Sequence, residues 1–235
     1  MEHEVAGHFA VPITSIKLTT KENERLKDLF YTKVRNKQWK YKGYNVSGKH
    51  THYNRIFDEF KEIKDISNKV NKMSNFVYQE VMNYESELFV TENWFNYAKQ
   101  GARQHFHAHA NSVLSGTIYI DHGTDHIIFK NPYHEPDIRP LTINHIEDNH
   151  NPDKKNKYGY IFHAPEIEME VSDGTILFWP SYLRHGYYET QRDARLTLSF
   201  NCFPKKFNSL YSTSTYCYLY LTITSPEPPN LPSPL

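Results

Sequence analysis

The chain has 235 residues, with 27 basic and 27 acidic side chains. That length suits one domain with a sizeable core, and the charge balance excludes a surface built as a whole to attract nucleic acid or an anionic membrane. Two cysteines, Cys202 and Cys217, exclude a disulfide framework and fit a reducing compartment. No apolar run approaches membrane-spanning length. Met1-Glu2-His3-Glu4 lacks the basic and apolar stretches of a signal peptide, so a cytoplasmic location is expected. Aromatic residues make up 15% of the chain, with 18 Tyr and 14 Phe, which favours half-buried strands.

In chain order, His8 to Leu18 reads as a strand interrupted at Pro12. Thr20 is the expected N-cap of a first helix, with Glu22 and Glu24 in its first turn and Leu26, Leu29, Phe30 and Val34 at helical spacing. Residues 36–56 are polar and aromatic without a period, and Ser47-Gly48 marks a turn. A second helix is expected from Asp65 to Tyr84, with the stripe Ile66, Val70, Met73, Val77, Val81, Tyr84 facing the core.

After Glu85 the pattern turns to strands: Leu88–Ala98, Val113–Asp121, Asp125–Lys130, Glu166–Val171, Thr175–Trp179 and Ala194–Phe203. Residues 131–160 form a long polar, proline-bearing insert, expected as a mobile loop near a site. Asp173-Gly174 is a tight turn. Short strands after two helices predict a mainly β fold with flanking helices (α+β), an antiparallel barrel or jelly roll with the helices on one side. The expected organisation is a domain over residues 1–205, with a helical region over residues 1–86 and a β core over residues 87–205. A Tyr/Ser/Thr-rich and then Pro-rich tail follows over residues 206–235, extended or disordered.

The chemistry concentrates in the histidines, 14 in all. His105, His107 and His109 alternate, and residues two apart on a strand share a face. Three alternate residues are too spread to ligate one ion; the pair His107 and His109 is preferred because it leads into the strand beginning at Asn111-Ser112. A lone His-x-His is more often ordinary surface or core. A third imidazole, His185, follows Phe178-Trp179-Pro180-Ser181, at a His185-Gly186 step where the chain needs freedom. Arg195 comes ten residues later and offers a planar fork for a carboxylate. Thr197 shares its face. Tyr119 and Asn96 are secondary candidates to hydrogen-bond a co-substrate. Phe178, Trp179 and Tyr182 are expected to wall the pocket. Arg192 lies in a turn and reads as solvated, and Asp121 is an acid without a spacing argument. His122, His126, His134, His145, His150 and His163 sit in or near the polar insert, and most of them are expected to be solvent-exposed. Imidazoles around an open coordination position, with an arginine beyond them, suit a non-haem Fe(II) centre that uses a 2-oxo acid.

Several segments taken together resemble the 2-oxoglutarate/Fe(II)-dependent oxygenase family found widely in marine bacteria and their phages. They are Trp94-Phe95-Asn96-Tyr97, His107-Ala108-His109-Ala110-Asn111-Ser112, Leu114-Ser115-Gly116 before Tyr119, Phe178-Trp179-Pro180-Ser181 before His185, and Arg195 to Asn201. The resemblance runs over residues 8–205. It implies a double-stranded β-helix, cupin-like, with iron at its open mouth. It implies His107 and His185 as ligands, His109 where the wider superfamily has an acidic ligand, and Arg195 on the distal carboxylate of 2-oxoglutarate. Three-histidine iron sites occur in related cupin folds. The implied activity is a dioxygenase that hydroxylates an unidentified small molecule or protein residue, using Fe(II), 2-oxoglutarate and O2 and releasing succinate and CO2, with ascorbate as reductant. The alternatives are a three-histidine dioxygenase without a 2-oxo acid, or a non-catalytic binding barrel.

Overall fold

The structure is a computed structural model that describes residues 10–35, 39–41, 49–51, 55–123, 125–133, 164–190 and 194–206. The expected turn at Ser47-Gly48, Arg192, His134, His145, His150, His163, Cys217, most of the 131–160 insert and all but the first residue of the tail lie outside them. Among the described residues no helix is long and apolar enough to cross a membrane.

Eleven strands are described: β1 (Thr14–Lys17), β2 (Trp39–Tyr41), β3 (Lys49–Thr51), β4 (Leu88–Ala98), β5 (Gln104–His107), β6 (Leu114–Asp121), β7 (Asp125–Lys130), β8 (Glu166–Val171), β9 (Thr175–Pro180), β10 (His185–Tyr187) and β11 (Arg195–Pro204). They form a seven-stranded sheet, β1-β9-β6-β11-β4-β3-β2, and a four-stranded sheet, β5-β10-β7-β8. Every pairing between these strands is antiparallel. From β6 to β11 the chain passes back and forth between the two sheets, with β7 and β8 both in the smaller one, as in a double-stranded β-helix. The helices are α1 (Thr20–Leu29), the short α2 (Ile56–Glu59) and α3 (Lys64–Phe76).

Strand alternation sorts the side chains. On β11, Leu196, Leu198, Phe200 and Cys202 join the helix residues Leu26, Phe30, Ile66 and Val70 in one core. Arg195, Thr197, Ser199 and Asn201 therefore fall on the opposite face, between the sheets. On β9, Ile176 and Phe178 face the helices, while Leu177 and Trp179 join Tyr119, Ile127 and Phe129 in a second core between the sheets. Phe178 thus packs on Phe200, with ring centroids 5.4 Å apart, and does not wall the pocket as expected; it is one residue out of phase with Trp179.

The helices form where the apolar stripes lie, with corrected ends. The N-cap of α1 is Thr19, one residue before the expected Thr20. The Thr19 hydroxyl accepts from Glu22 N and the Glu22 carboxylate accepts from Thr19 N, a closed capping box. The second helix ends in a wide turn over Val77–Val81, where Met82 N donates to Val77 O at 2.9 Å. Val81 and Tyr84 are consequently exposed rather than core-facing. Asn23 Nδ2 donates to Ile120 O at 2.9 Å and ties α1 to the large sheet. The first strand is confined to the four residues after Pro12-Ile13.

Gly116 lies where the large sheet, Phe200 and β9 meet. A Cβ there would stand 2.6 Å from Phe200 Cε2 and 2.5 Å from Leu177 O. Gly116→Ala is expected to cost about 1–3 kcal/mol of stability, measured as a lower denaturant midpoint at unchanged slope.

Candidate metal centre

His107 closes β5 and His185 opens β10; the two face each other in the β5–β10 pairing. His109 lies two residues beyond β5, in the loop before β6. The expected explanation, alternation along one strand, therefore accounts for His107 only. His109 is brought back by its backbone, whose N–H donates to Ser181 O at 2.9 Å. The hydroxyls of Ser112, Ser115 and Ser181 hold that loop against β6 and β9. The ring centroids are 4.5 Å apart for His107 and His185, 5.1 Å for His107 and His109, and 5.2 Å for His109 and His185. One ring nitrogen of each lies within 4.8 Å of the others. His105 is exposed and outside this cluster.

The donor set fits a divalent transition metal. His185 is buried, and burial first, then the neighbouring His107 and His109, pulls its pKa well below the usual histidine value. It is thus held as the neutral imidazole that ligation requires. His107 Nδ1 lies 2.9 Å from His105 O, and His185 Nδ1 lies 3.1 Å from Leu183 O; such carbonyls orient ligating imidazoles. Imidazole donors suit iron, nickel, copper or zinc rather than magnesium or calcium. Trp179 packs edge-on to His185 at 4.7 Å, and Trp94 lies 6.2 Å from His109. Tyr182, expected to wall the pocket, is exposed and lines a separate open cleft of ≈ 570 Å³ that borders His109. Tyr78, Met82 and Tyr84 complete its wall, and among the described residues no Lys, Arg, Asp or Glu lines it.

A cavity of ≈ 30 Å³ extends from His185 past Asn96, Thr117, Tyr119 and Thr197 to Arg195. It has room for about two waters. Arg195 is buried at 6% exposure, 3.7 Å from Asp125 Oδ2 by its Nε, with its guanidinium 4.1 Å over the Tyr187 ring. Its Nε and the Tyr119 hydroxyl are buried without a hydrogen-bond partner among the described residues. Burial pushes the Tyr119 hydroxyl pKa up, with Arg195 opposing, so it stays a neutral donor. A buried guanidinium nitrogen and phenol without acceptors cost free energy, and a carboxylate in the cavity would offer acceptors to both. Asn96 receives Trp94 Nε1 at 3.1 Å and donates to Ser199 Oγ at 2.9 Å, which fixes its amide at the cavity wall.

The sequence expectations thus meet here: His107, His109 and His185 converge, and Arg195, Thr197, Tyr119 and Asn96 share the adjoining cavity with His185. Asp121 does not; it accepts from Tyr31 near α1. Asp125 and His122 were not anticipated. His122, one of the six histidines of which most are expected in solvent, is fully buried and edge-on to Tyr119 at 4.7 Å. Asp173 Oδ1 accepts from His122 N and Gly123 N at 2.7 and 2.8 Å, which pins the corner between β6 and β7 and folds the ring inward. Gly186 also differs from expectation. It serves close packing rather than backbone freedom, since a Cβ would meet Gln104 O at 2.6 Å.

Residues 92–201 match a family described as "Putative 2OG-Fe(II) oxygenase". Through that segment, under half of the chain, the protein is similar to the 2OG-Fe(II) oxygenases, a class of oxidoreductases. Solved structures are similar in fold. A Pseudomonas putida prolyl-4-hydroxylase superposes with a TM-score of 0.53 at 11% identity, over 81% of this chain and 92% of its own. The non-haem α-ketoglutarate-dependent epimerase SnoN, from nogalamycin biosynthesis, gives 0.59 at 11% identity over 83% and 77%. HygX from Streptomyces hygroscopicus, solved with nickel and 2-oxoglutarate bound, gives 0.53 at 10% identity over 84% of each chain. No curated protein matches the chain in sequence.

Gly186→Ala is expected to push β5 away from β10 and separate His107 from His185. Ni(II) affinity, titrated calorimetrically on folded protein, should fall by about tenfold or more. Unchanged affinity would mean that the β5–β10 approach does not set the cluster.

Proposed function

We propose that the protein is an Fe(II)- and 2-oxoglutarate-dependent dioxygenase, with iron in the three-histidine cluster and the distal carboxylate of 2-oxoglutarate at Arg195. The observation that carries the reading is the single cavity joining His185 to a buried Arg195 whose Nε has no hydrogen-bond acceptor among the described residues. The metal and 2-oxo acid together supply the oxidising chemistry, with release of succinate and CO2 and hydroxylation of the substrate.

The chain's own residues bind, orient and exclude water. Arg195 grips one end of the dicarboxylate, and Tyr119 donates to it. Thr197 and Asn96 line the path between that end and the histidines. Trp179 and Phe129 pack dry against His185, which strengthens electrostatic contacts nearby. The substrate, a small molecule or a residue of a protein, enters by the tyrosine-walled cleft beside His109. Its described lining, without Lys, Arg, Asp or Glu, suits an uncharged portion of that substrate.

One observation favours a second reading, a three-histidine dioxygenase without a 2-oxo acid: Asp125 already stands 3.7 Å from Arg195 and offsets its charge. Thr190 Oγ1 donates to the same Asp125 oxygen at 2.8 Å.

The two are separated by succinate release from 2-oxoglutarate with Fe(II), O2 and ascorbate, tested over a substrate panel and without substrate. The first reading expects succinate from the wild type and a loss of more than about 100-fold in His185→Ala. Arg195→Ala should raise KM for 2-oxoglutarate by about 10–100-fold, the value of a charged hydrogen-bonded contact. No succinate from folded, iron-loaded protein contradicts it.

A further inference from the structure

We propose that Glu92 and Trp94 form a seat for a primary ammonium group of the substrate, at the edge of the histidine cluster. The inference rests on the dioxygenase reading above and names the class of molecule that site takes: an amine whose uncharged part occupies the tyrosine-walled cleft.

Glu92, Trp94 and Asn96 alternate along β4 and share one face. In the pairing with β11, Asn201 stands beside Glu92 and Ser199 beside Trp94. That face is turned to the metal centre. The Trp94 ring lies 6.2 Å from that of His109. Glu92 Oε2 lies 3.2 Å from Asn201 Nδ2, which is itself 3.4 Å from His109 Nδ1. The carboxylate and the indole therefore both flank His109, and neither belongs to the three-histidine set.

Glu92 is partly buried and held in place. Both hydrogen bonds that it accepts fall on the same oxygen: Asn201 Nδ2 and Asn111 Nδ2 donate to Oε2 at 3.2 and 3.3 Å. One amide comes from β11 and the other from the loop after His109. Among the described residues Oε1 accepts no hydrogen bond, and no Lys or Arg pairs with the carboxylate. A fixed anion with an oxygen still open to a donor is a ready partner for a cation. Trp94 is held too, since its one polar atom, Nε1, donates to Asn96 Oδ1 at 3.1 Å. What the indole offers a ligand is carbon and π surface, which attracts a cation and packs the methylenes next to it.

The state of the carboxylate selects among cations. A guanidinium binds best as a fork across both oxygens, and here Oε2 already receives two amides. An ammonium is a compact point charge that one oxygen can meet. Glu92 thus favours a primary amine over a guanidine. The cleft that also borders His109, without Lys, Arg, Asp or Glu in its described lining, takes the uncharged remainder. The C–H bond offered to the metal then lies within a few bonds of the nitrogen.

The test is a titration of full-length, metal-free protein labelled with ¹⁵N-tryptophan, followed through the Trp94 indole N–H signal, which Trp94→Phe assigns. Pentylamine, pentylguanidine and pentanol are the probes; they share a chain and differ in head group. The expected result is a saturable shift with pentylamine, a several-fold weaker affinity for pentylguanidine, and no saturation with pentanol. In Glu92→Gln the amide oxygen can still accept from Asn111 and Asn201, and pentylamine affinity should fall about tenfold or more, the value of a hydrogen bond to a charged group. Pentanol or pentylguanidine binding as tightly as pentylamine overturns the proposal, as does an unchanged pentylamine affinity in folded Glu92→Gln or a wild type that gives no saturable shift. The comparison of head groups on the wild type needs no variant to fold. Amine binding by protein that releases no succinate contradicts the dioxygenase reading and leaves the ammonium seat; succinate release by protein that binds no amine overturns this inference alone.

Discussion

The pairing of β10 with β5, which sets His185 opposite His107, is the constraint on which the centre depends. A slip of one residue in that pairing would turn one ring to the other face of the sheet. The two strands approach closely because residue 186 has no side chain to meet Gln104 O. β10 is only three residues long and is held on its other edge by β7, with His185 against Phe129. His109 then needs no strand of its own, because the serine hydroxyls and the Ser181 carbonyl fix the loop that carries it. The small sheet supplies two of the imidazoles, the loop the third, and the large sheet the guanidinium, so the site occupies the space between the sheets.

That space is polar on the side of the large sheet. Thr117, Ser199, Thr197 and Asn96 form a hydrogen-bonded strip between β6, β11 and β4. Leu177 and Trp179 flank it on β9 of the same sheet, and Phe129 packs against Trp179 from β7 of the smaller one. Buried polar groups of this kind are costly unless satisfied. The strip satisfies itself, but Arg195 Nε and the Tyr119 hydroxyl do not find partners within the described residues. Asp125 offsets the charge of Arg195 at 3.7 Å without hydrogen-bonding its Nε. An anion in the cavity would offer acceptors to both.

Much of this was legible in the residues. The alternation Arg195-Leu196-Thr197-Leu198-Ser199-Phe200-Asn201-Cys202 separates a chemical face from a core face, and the structure follows it. The same alternation extends to Ser199 and Asn201 on β11 and to Glu92 and Trp94 on β4, and would have found them. The apolar stripe of α3 was also readable as far as Val77. Its end was not, because the wide turn at Val77–Val81 depends on what the chain packs against afterwards. His109 was placed with its neighbours by the wrong cause, since a loop tied by side-chain hydroxyls has no periodic signature. His122 and Asp125 depend on contacts across the fold, to Asp173, Thr190 and Arg195, which local spacing does not encode. Gly186 looked like a conformational need and is a steric one; only the neighbouring strand reveals the difference.

The most direct measurement of the central claim, that the histidine cluster and Arg195 serve one bound metal–dicarboxylate pair, is anaerobic visible spectroscopy. Fe(II) and 2-oxoglutarate are added in turn to the purified protein. The account predicts a weak charge-transfer band that appears only with both present, is lost in His185→Ala, and needs a higher 2-oxoglutarate concentration in Arg195→Ala. A folded wild type with no band, or a band unchanged in His185→Ala, would contradict it.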